Sequence, residues 1–295
     1  MCCIFRPKKI NEANLKKIYD AMEAYHRSLE IAGEKDTYFK KSDPPTELRR
    51  FQISWTNSEA FFKYTKSERF FDEDSEYFIA DDGVVDGVIG VFDSKLVISF
   101  MASNSDADWK ANFQFGHKSL PYPGMEGSKV RVHDGYSSHY KKVRAFLQSK
   151  TKDFLETTPK GKVLVVGHSM GGSVAQLCAL DLHYNFNRQN IDIEVVSFGA
   201  PRVGNRAFKK SFERRMKGRY LNIHYANEFT EKVPFIFFGY RHAGSFCDQT
   251  RIDLKTGMYL PLWFGIKSHY FWNYIEGWLS RSELYTKFKP PLTLR

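Results

Sequence analysis

Apolar residues near the start recur at three- and four-residue steps, Leu15, Ile18, Met22, Tyr25 and Leu29. That single stripe predicts a helix of about five turns packed on a core, with Gly33 placed to end it. The stretch Thr37 to Ser75 is rich in Phe and Lys but weakly periodic, and resolves only into mixed short helices and loops. From Glu76 the pattern changes to short apolar runs, Tyr77 to Ala80, Val88 to Phe92 and Leu96 to Phe100. These predict adjacent strands, with Asp93-Ser94-Lys95 as a hairpin turn.

Val130 to His133 is strand-like, and Val143, Phe146, Leu147 and Phe154 form one face of a helix over His139 to Glu156, stopped by Pro159 and Gly161. Lys162 to Val166 then reads as a strand, Gly171 to Tyr184 as an apolar helix and Glu194 to Phe198 as a strand. Asn205 to Lys217 reads as a basic helix and Tyr220 to Tyr225 as a further strand. Strands alternating with helices predict an α/β fold, a mostly parallel central sheet covered on both faces. No repeat, low-complexity tract or linker divides the chain, so one domain over residues 1–295 is the simpler reading, with residues 1–75 as its helical and irregular beginning.

With 42% hydrophobic and 26% charged residues among 295, the composition is that of a globular protein. The longest uncharged run, Val163 to Leu180, is broken by His168, Ser169, Ser173, Gln176 and glycines, which excludes it as a membrane span. Arg6, Lys8, Lys9, Glu12, Lys16 and Lys17 interrupt the region where a secretory signal needs its apolar core, so the expectation is a cytoplasmic chain, with peripheral membrane contact left open. Cys2, Cys3, Cys178 and Cys247 are too few and scattered for a disulfide framework, and no CxxC or HExxH spacing offers a metal site; neither metal nor cofactor is expected. A formal charge of +10 favours anionic partners. Nucleic acid is the weaker choice, because no recognition module accompanies the charge.

Gly167-His168-Ser169-Met170-Gly171 matches G-x-S-x-G. Such a pentapeptide arises by chance in on the order of one in ten chains this long, so context must decide. A predicted strand enters it, and a helix rich in Gly171, Gly172, Ser173 and Ala175 leaves it. That is the setting of a nucleophile elbow, in which only small neighbours permit the sharp turn. A serine nucleophile needs a histidine base oriented by a carboxylate, in the chain order Ser, acid, His. Of the histidines after Ser169, His183 lies on the elbow helix and His224 in a strand, where packing roles are the plainer reading; His242 and His269 remain.

Gly167 to Gly172 together with Ser197-Phe198-Gly199-Ala200-Pro201-Arg202-Val203-Gly204-Asn205 resembles the fungal-type triacylglycerol lipase family, lipase class three, of the α/β-hydrolase superfamily. Val132-His133-Asp134-Gly135-Tyr136 is similar to its VHxGF segment, Val233-Pro234 to its VP pair, and Gly239 to Gly244 to its GYxHxG segment. The likeness runs from about Val88 to Tyr274 and implies an α/β-hydrolase fold that hydrolyses lipid esters. It also implies Ser169 as nucleophile and His269 as base, from Ser268-His269 ahead of Tyr270-Phe271, which makes His242 structural. The family's acid lies two residues before the Val-Pro pair, where this chain has Glu231. Counted forward from Asn227 the place falls on Thr230, so one residue has been added, and Glu228 is the alternative carboxylate.

The resemblance further implies an oxyanion hole from the Met170 N–H and a second donor after Phe100-Met101-Ala102, at Ser103; the Arg and Gly of the family's Phe-Arg-Gly motif are absent here. It places a lid over Asn104 to Asn112, with Asp108 and Trp109. Phe235 to Phe238 and Met258 to Phe264 read as core segments ahead of acyl-groove lining. The basic helix has two readings, a solvated face or a surface attracted to anionic lipid. Cys2 and Cys3 beside Arg6, Lys8 and Lys9 have the pattern of an S-acylated polybasic anchor. The expected function is a serine carboxylester hydrolase of triacylglycerol lipase or phospholipase A type acting on a lipid ester; the alternative is a catalytically silent lipid-binding scaffold of the same fold.

Overall fold

The computed structural model of the chain describes residues 10–35, 76–79, 85–92, 94–101, 116–120, 129–186, 191–225, 228–244, 250–253 and Tyr274. The expectations for Cys2 and Cys3, for Thr37 to Ser75, for Asn104 to Asn112 and for Met258 to Phe264 lie outside these residues.

The first element is a helix, α1, over Glu12–Lys35. Its stripe is buried as the periodicity predicts, with Leu15, Ile18, Met22 and Tyr25 at 8% exposure or less. Gly33 does not end it, since the helix runs on to Lys35. One residue of glycine costs a helix only about 1 kcal/mol, which packing elsewhere along the stripe readily offsets.

Three strands follow, β1 (Glu76–Ile79), β2 (Val85–Phe92) and β3 (Lys95–Phe100). They form an antiparallel meander whose β2–β3 turn places Ser94 at φ 61°. Two short strands, β4 (His117–Lys118) and β5 (Val132–His133), precede helix α2 (Asp134–Thr157). This helix begins five residues earlier than its apolar face suggests, because His133 Nδ1 accepts from Tyr136 N as an N-cap. Then come β6 (Lys162–His168), α3 (Met170–Phe186), β7 (Asp192–Phe198), β8 (Gly204–Asn205), α4 (Arg206–Arg215), β9 (Tyr220–His224), β10 (Tyr240–Arg241) and β11 (Arg251–Asp253).

Seven strands form the central sheet in the order β1-β2-β3-β6-β7-β9-β11, with every pairing from β3 onward parallel. Alternation sorts its side chains. Ile98, Val163, Val165, Ile193 and Val195 face a core shared with α2, α3 and α4. Val97, Leu164, Val166, Val196, Leu221 and Ile223 face α1. Helices therefore cover both faces, which is the α/β-hydrolase expectation met in its layers. A second sheet, β10-β8-β5-β4, is built from two-residue strands too short to show any periodicity.

Candidate active site

Parallel strands carry functional loops at their carboxyl ends. At the end of β6 the chain turns sharply: Ser169 adopts φ 56° and α3 starts at the next residue. The turn is tied by Ser169 N to Phe198 O at 2.9 Å and by Gly172 N to Ser169 O at 3.0 Å. Glycine is obligatory at two places around it. A Cβ on Gly171 would stand 2.2 Å from Met101 O, and one on Gly167 would stand 2.4 Å from Gly171 O. The start of α3 thus crosses directly over the end of β3, where the second oxyanion donor is expected. Met170 opens α3, and its N–H belongs to the first-turn amides that a helix cannot satisfy from within.

In the block from Ser197 to Asn205, the side chains of Ser197, Arg202 and Asn205 tie neighbouring segments together. Gln176 Nε2 donates to Asn222 Oδ1 at 3.0 Å, Ser197 Oγ bonds the same oxygen, and Asn222 Nδ2 donates to Ala243 O at 2.7 Å. Asn205 caps α4 by accepting from Phe208 N at 2.9 Å. Arg202 clamps the acid loop: its N donates to Val233 O at 2.8 Å, and its guanidinium donates to Lys232 O and, at 3.0 Å, to Pro234 O.

Thr230–Lys232 forms a 3-10 turn that presents Glu231. Glu231 Oε2 lies 2.5 Å from His224 Nδ1 and 3.1 Å from Arg251 Nη2. Burial opposes ionisation of Glu231, but His224 beside it, then Arg251 and His242, outweigh it and hold the carboxyl well below the usual range. Glu228 is wholly buried with Tyr274 Oη 2.5 Å from its Oε1, and burial pushes it up to about 8 against the lowering effects of His224 and Tyr274. His242 is held well below its ordinary value by burial and then by Arg251, His224 and Arg202, while its Nε2 contacts Glu231 O.

His224, Glu228 and Glu231 bring three ligand-type atoms within 4.8 Å of one another. Arg251 Nε donates to His224 Nε2 at 3.0 Å, however, and its Nη2 sits on Glu231. The guanidinium already supplies the positive charge that an ion would bring, so this is an internally paired charge cluster.

Of the expected site residues, Ser169, Met170 and Glu231 are described, whereas Ser103, Asp108, Trp109 and His269 lie outside the described residues. His224, expected to play a packing role, instead meets Glu231. Arg251, Tyr274 and Arg202 are the side chains around the acid loop that sequence reasoning missed. No spacing announces Arg251, because β11 brings it in by parallel pairing with β9. Phe235 to Phe238 also departs from expectation: Ile236, Phe237 and Phe238 are exposed, not core. Lys209, grouped with solvated cations, is bonded to His242 O and Gly244 O.

The family model for Lipase (class 3) matches residues 97–238, which hold the elbow, the Ser197 to Asn205 block and the acid loop. That segment belongs to the class 3 lipase family. Among relatives, a secreted mono- and diacylglycerol lipase of Fusarium solani is 29% identical over 148 residues, covering 50% of this chain and 42% of its own length. A lipase of Rhizomucor miehei is 32% identical over 163 residues, covering 52% and 42%. A chloroplastic phospholipase A(1) of Arabidopsis thaliana is 28% identical over 187 residues, covering 57% and 38%. The chain thus spans less than half the length of these curated relatives.

The class 3 core also superposes on solved structures. A triacylglycerol lipase described as having a serine protease triad as its catalytic centre gives a TM-score of 0.59 at 23% identity, covering 85% of this chain and 83% of that one. The native Rhizomucor miehei lipase propeptide complex gives 0.57 at 23%, covering 81% and 68%. These likenesses establish the α/β-hydrolase fold. Relatives named as secreted or chloroplastic proteins overturn the cytoplasmic expectation. Charged residues between Arg6 and Lys17 are therefore no guide to compartment. No helix among the described residues is long and apolar enough to cross a membrane.

Proposed function

We propose that the chain is a serine carboxylester hydrolase acting on lipid esters, of triacylglycerol lipase or phospholipase A type, with residues 1–295 working as one domain around the central sheet. The observation that carries this reading is Ser169 at φ 56° between β6 and α3, the strained strand-to-helix turn that a nucleophile elbow requires.

In this reading Ser169 Oγ attacks the acyl carbonyl carbon while His269 takes the hydroxyl proton. The carbonyl electron pair moves onto oxygen, where the Met170 and Ser103 N–H groups receive it. On collapse the ester C–O bond breaks, His269 returns the proton to the departing alkoxide, and an acyl-enzyme remains. Water, deprotonated by His269, then releases the fatty acid and Ser169. Asp108 and Trp109 belong to a lid over the site. The acid must be charged at neutral pH to stabilise an imidazolium. Glu231 meets that requirement, whereas burial keeps Glu228 protonated up to about pH 8.

A second reading, a silent lipid-binding scaffold, is favoured by the engagement of Glu231 with His224 and Arg251. Fluorophosphonate labelling separates the two. The hydrolase labels at Ser169 and turns over tri-, mono- or phospho-acylglycerols in a manner lost in Ser169→Ala; absence of both labelling and turnover leaves the scaffold.

A further inference from the structure

Two residues beyond the acid loop the chain makes a second 3-10 turn, Ile236–Phe238, whose side chains are 53%, 78% and 46% exposed. Adjacent large apolar side chains at this exposure are uncommon on a monomer unless they serve an interaction. The turn is held rigidly outward. Phe238 N donates to Phe235 O at 3.0 Å and Gly239 N to Ile236 O at 2.9 Å, with Gly239 at φ 87° closing it. Arg241 Nη1 donates to Ile236 O at 2.9 Å, and His117 Nε2 lies 2.9 Å from Phe238 O. The Phe237 ring stacks on Phe235 at 5.2 Å and touches Phe238 at 4.5 Å, so the three rings form one convex knob.

Cations surround it. Lys232 precedes the knob, Arg241 backs it, and Lys118 and Arg131 lie along the adjoining β4–β5 edge, where His117 to Ser119 are exposed. Asp134 answers Lys118 at 2.5 Å and Glu231 answers Arg251, so the local balance stays positive, as does the chain at +10.

We propose that Ile236, Phe237 and Phe238 insert into the interfacial region of an anionic lipid bilayer, with Lys118, Lys232 and Arg241 meeting its headgroups. The choice of partner rests on the lipid-ester reading of the site. A second copy of the chain fits poorly: a stable interface needs about 800 Å² per partner, far more than a three-residue knob offers, and like charge opposes it. Insertion suits a convex apolar tip ringed by cations. It would place lipid beside the loop that carries Glu231.

The test is co-sedimentation of the full chain with phosphatidylcholine vesicles, with and without phosphatidylglycerol, beside hydrolysis of a short soluble ester. Phe237→Ser and Phe238→Ser should each weaken binding to the phosphatidylglycerol vesicles by roughly tenfold. Phe237→Leu should retain it, and Lys118→Gln with Arg241→Gln should lower it chiefly at low salt. Soluble-ester activity should stay at wild-type level in Phe237→Ser, which shows that the fold is intact. Unchanged vesicle binding in both serine variants overturns the proposal, as does a wild-type dimer that Phe237→Ser converts to monomer without changing vesicle binding. Loss of the lipid-ester reading shows differently, as wild-type hydrolysis that survives Ser169→Ala whatever the vesicles do.

Discussion

Glu231 Oε2 lies 2.5 Å from His224 Nδ1, so the carboxylate expected to orient a catalytic base already meets a histidine on the neighbouring strand end. Arg251 Nε lies 3.0 Å from His224 Nε2, so the ring is held between the guanidinium and Glu231. The contacts of Glu231 with His224 and Arg251 use the same oxygen, Oε2. Losing the negative charge of a triad acid costs up to about 10⁴ in rate. Glu231→Gln should accordingly lower kcat on a soluble ester by roughly 10²–10⁴, with Glu228→Gln and Thr230→Val each costing far less. Steady-state kinetics of purified variants with matched circular dichroism decide it; the reverse ranking moves the acid to Glu228.

Ser169→Ala and His269→Ala should each remove most hydrolysis, and the double variant should be scarcely worse, because members of a triad act as one unit. Losses that multiply would mean separate contributions. His242→Ala should retain substantial turnover, since His242 is buried with its ring on Glu231 O.

Elements long enough to repeat a period are legible in the sequence. The α1 stripe, the strands β1, β2, β3, β5, β6, β7 and β9, and the elbow follow from alternation, helical spacing or the need for small residues around Ser169. What escaped is of three kinds. Two-residue strands such as β8 and β10 contain no full period, and β11 pairs its three residues across a long connection. Capping moved the start of α2 back to Asp134, because His133 supplies an acceptor that an apolar count ignores. At Phe235 to Phe238 an apolar tetrapeptide reads as core, although hydrophobicity alone does not distinguish a buried turn from a projecting one. The pairing of Glu231 with His224 and Arg251 is tertiary, assembled by three separate segments.

Protonation of Glu228 should be visible in stability. Its pKa in the folded chain is raised from 4.5 to about 8, so the native state binds the proton more tightly than the unfolded chain does. That stabilisation is fully present below about pH 4.5 and is lost as the pH rises through about 8. The buried His242, held below its ordinary 6.5, acts oppositely at lower pH, so urea unfolding above about pH 6.5 is where wild-type stability should fall toward pH 8, and Glu228→Gln, which mimics the neutral form, should flatten that fall. An equally steep dependence in the variant would place the titration elsewhere.

Lys209 and Lys210 are neighbours on α4 with different duties. Lys209 Nζ donates to His242 O at 2.9 Å and Gly244 O at 3.3 Å and lies 2.9 Å from Glu213 Oε1, whereas Lys210 is exposed. Lys209→Gln should cost about 1–2 kcal/mol of unfolding free energy through lost charged hydrogen bonds, and Lys210→Gln under about 0.5 kcal/mol. Denaturant midpoints at equal slope are the measurement. Equal effects would mean that the contacts around Gly244 contribute nothing to stability.

The elbow offers the sharpest steric test. Gly171 Cα faces the backbone carbonyls of Phe100 and Met101, and an added methyl would stand 2.4 Å and 2.2 Å from their oxygens. Neither carbonyl belongs to a flexible side chain, so relief requires α3 to lift away from β3 or the turn at Ser169 to open. Overpacking of this kind typically costs 1–3 kcal/mol. Alanine is otherwise a better helix former than glycine by about 1 kcal/mol, so without the clash Gly171→Ala would stabilise α3. The expected outcome is a destabilised chain whose soluble-ester turnover falls by more than tenfold, since moving Met170 displaces the N–H assigned to the oxyanion. Gly218→Ala is the control: its Cβ would meet nothing within 4 Å, its φ of 73° alone opposes the substitution, and it lies far along the chain from the elbow. It should lose stability without losing turnover per folded molecule. Thermal melts paired with active-site titration by a fluorophosphonate probe separate the two effects. A Gly171→Ala chain with undiminished labelling at Ser169 would show that α3 and the β3 end are not held together at this contact.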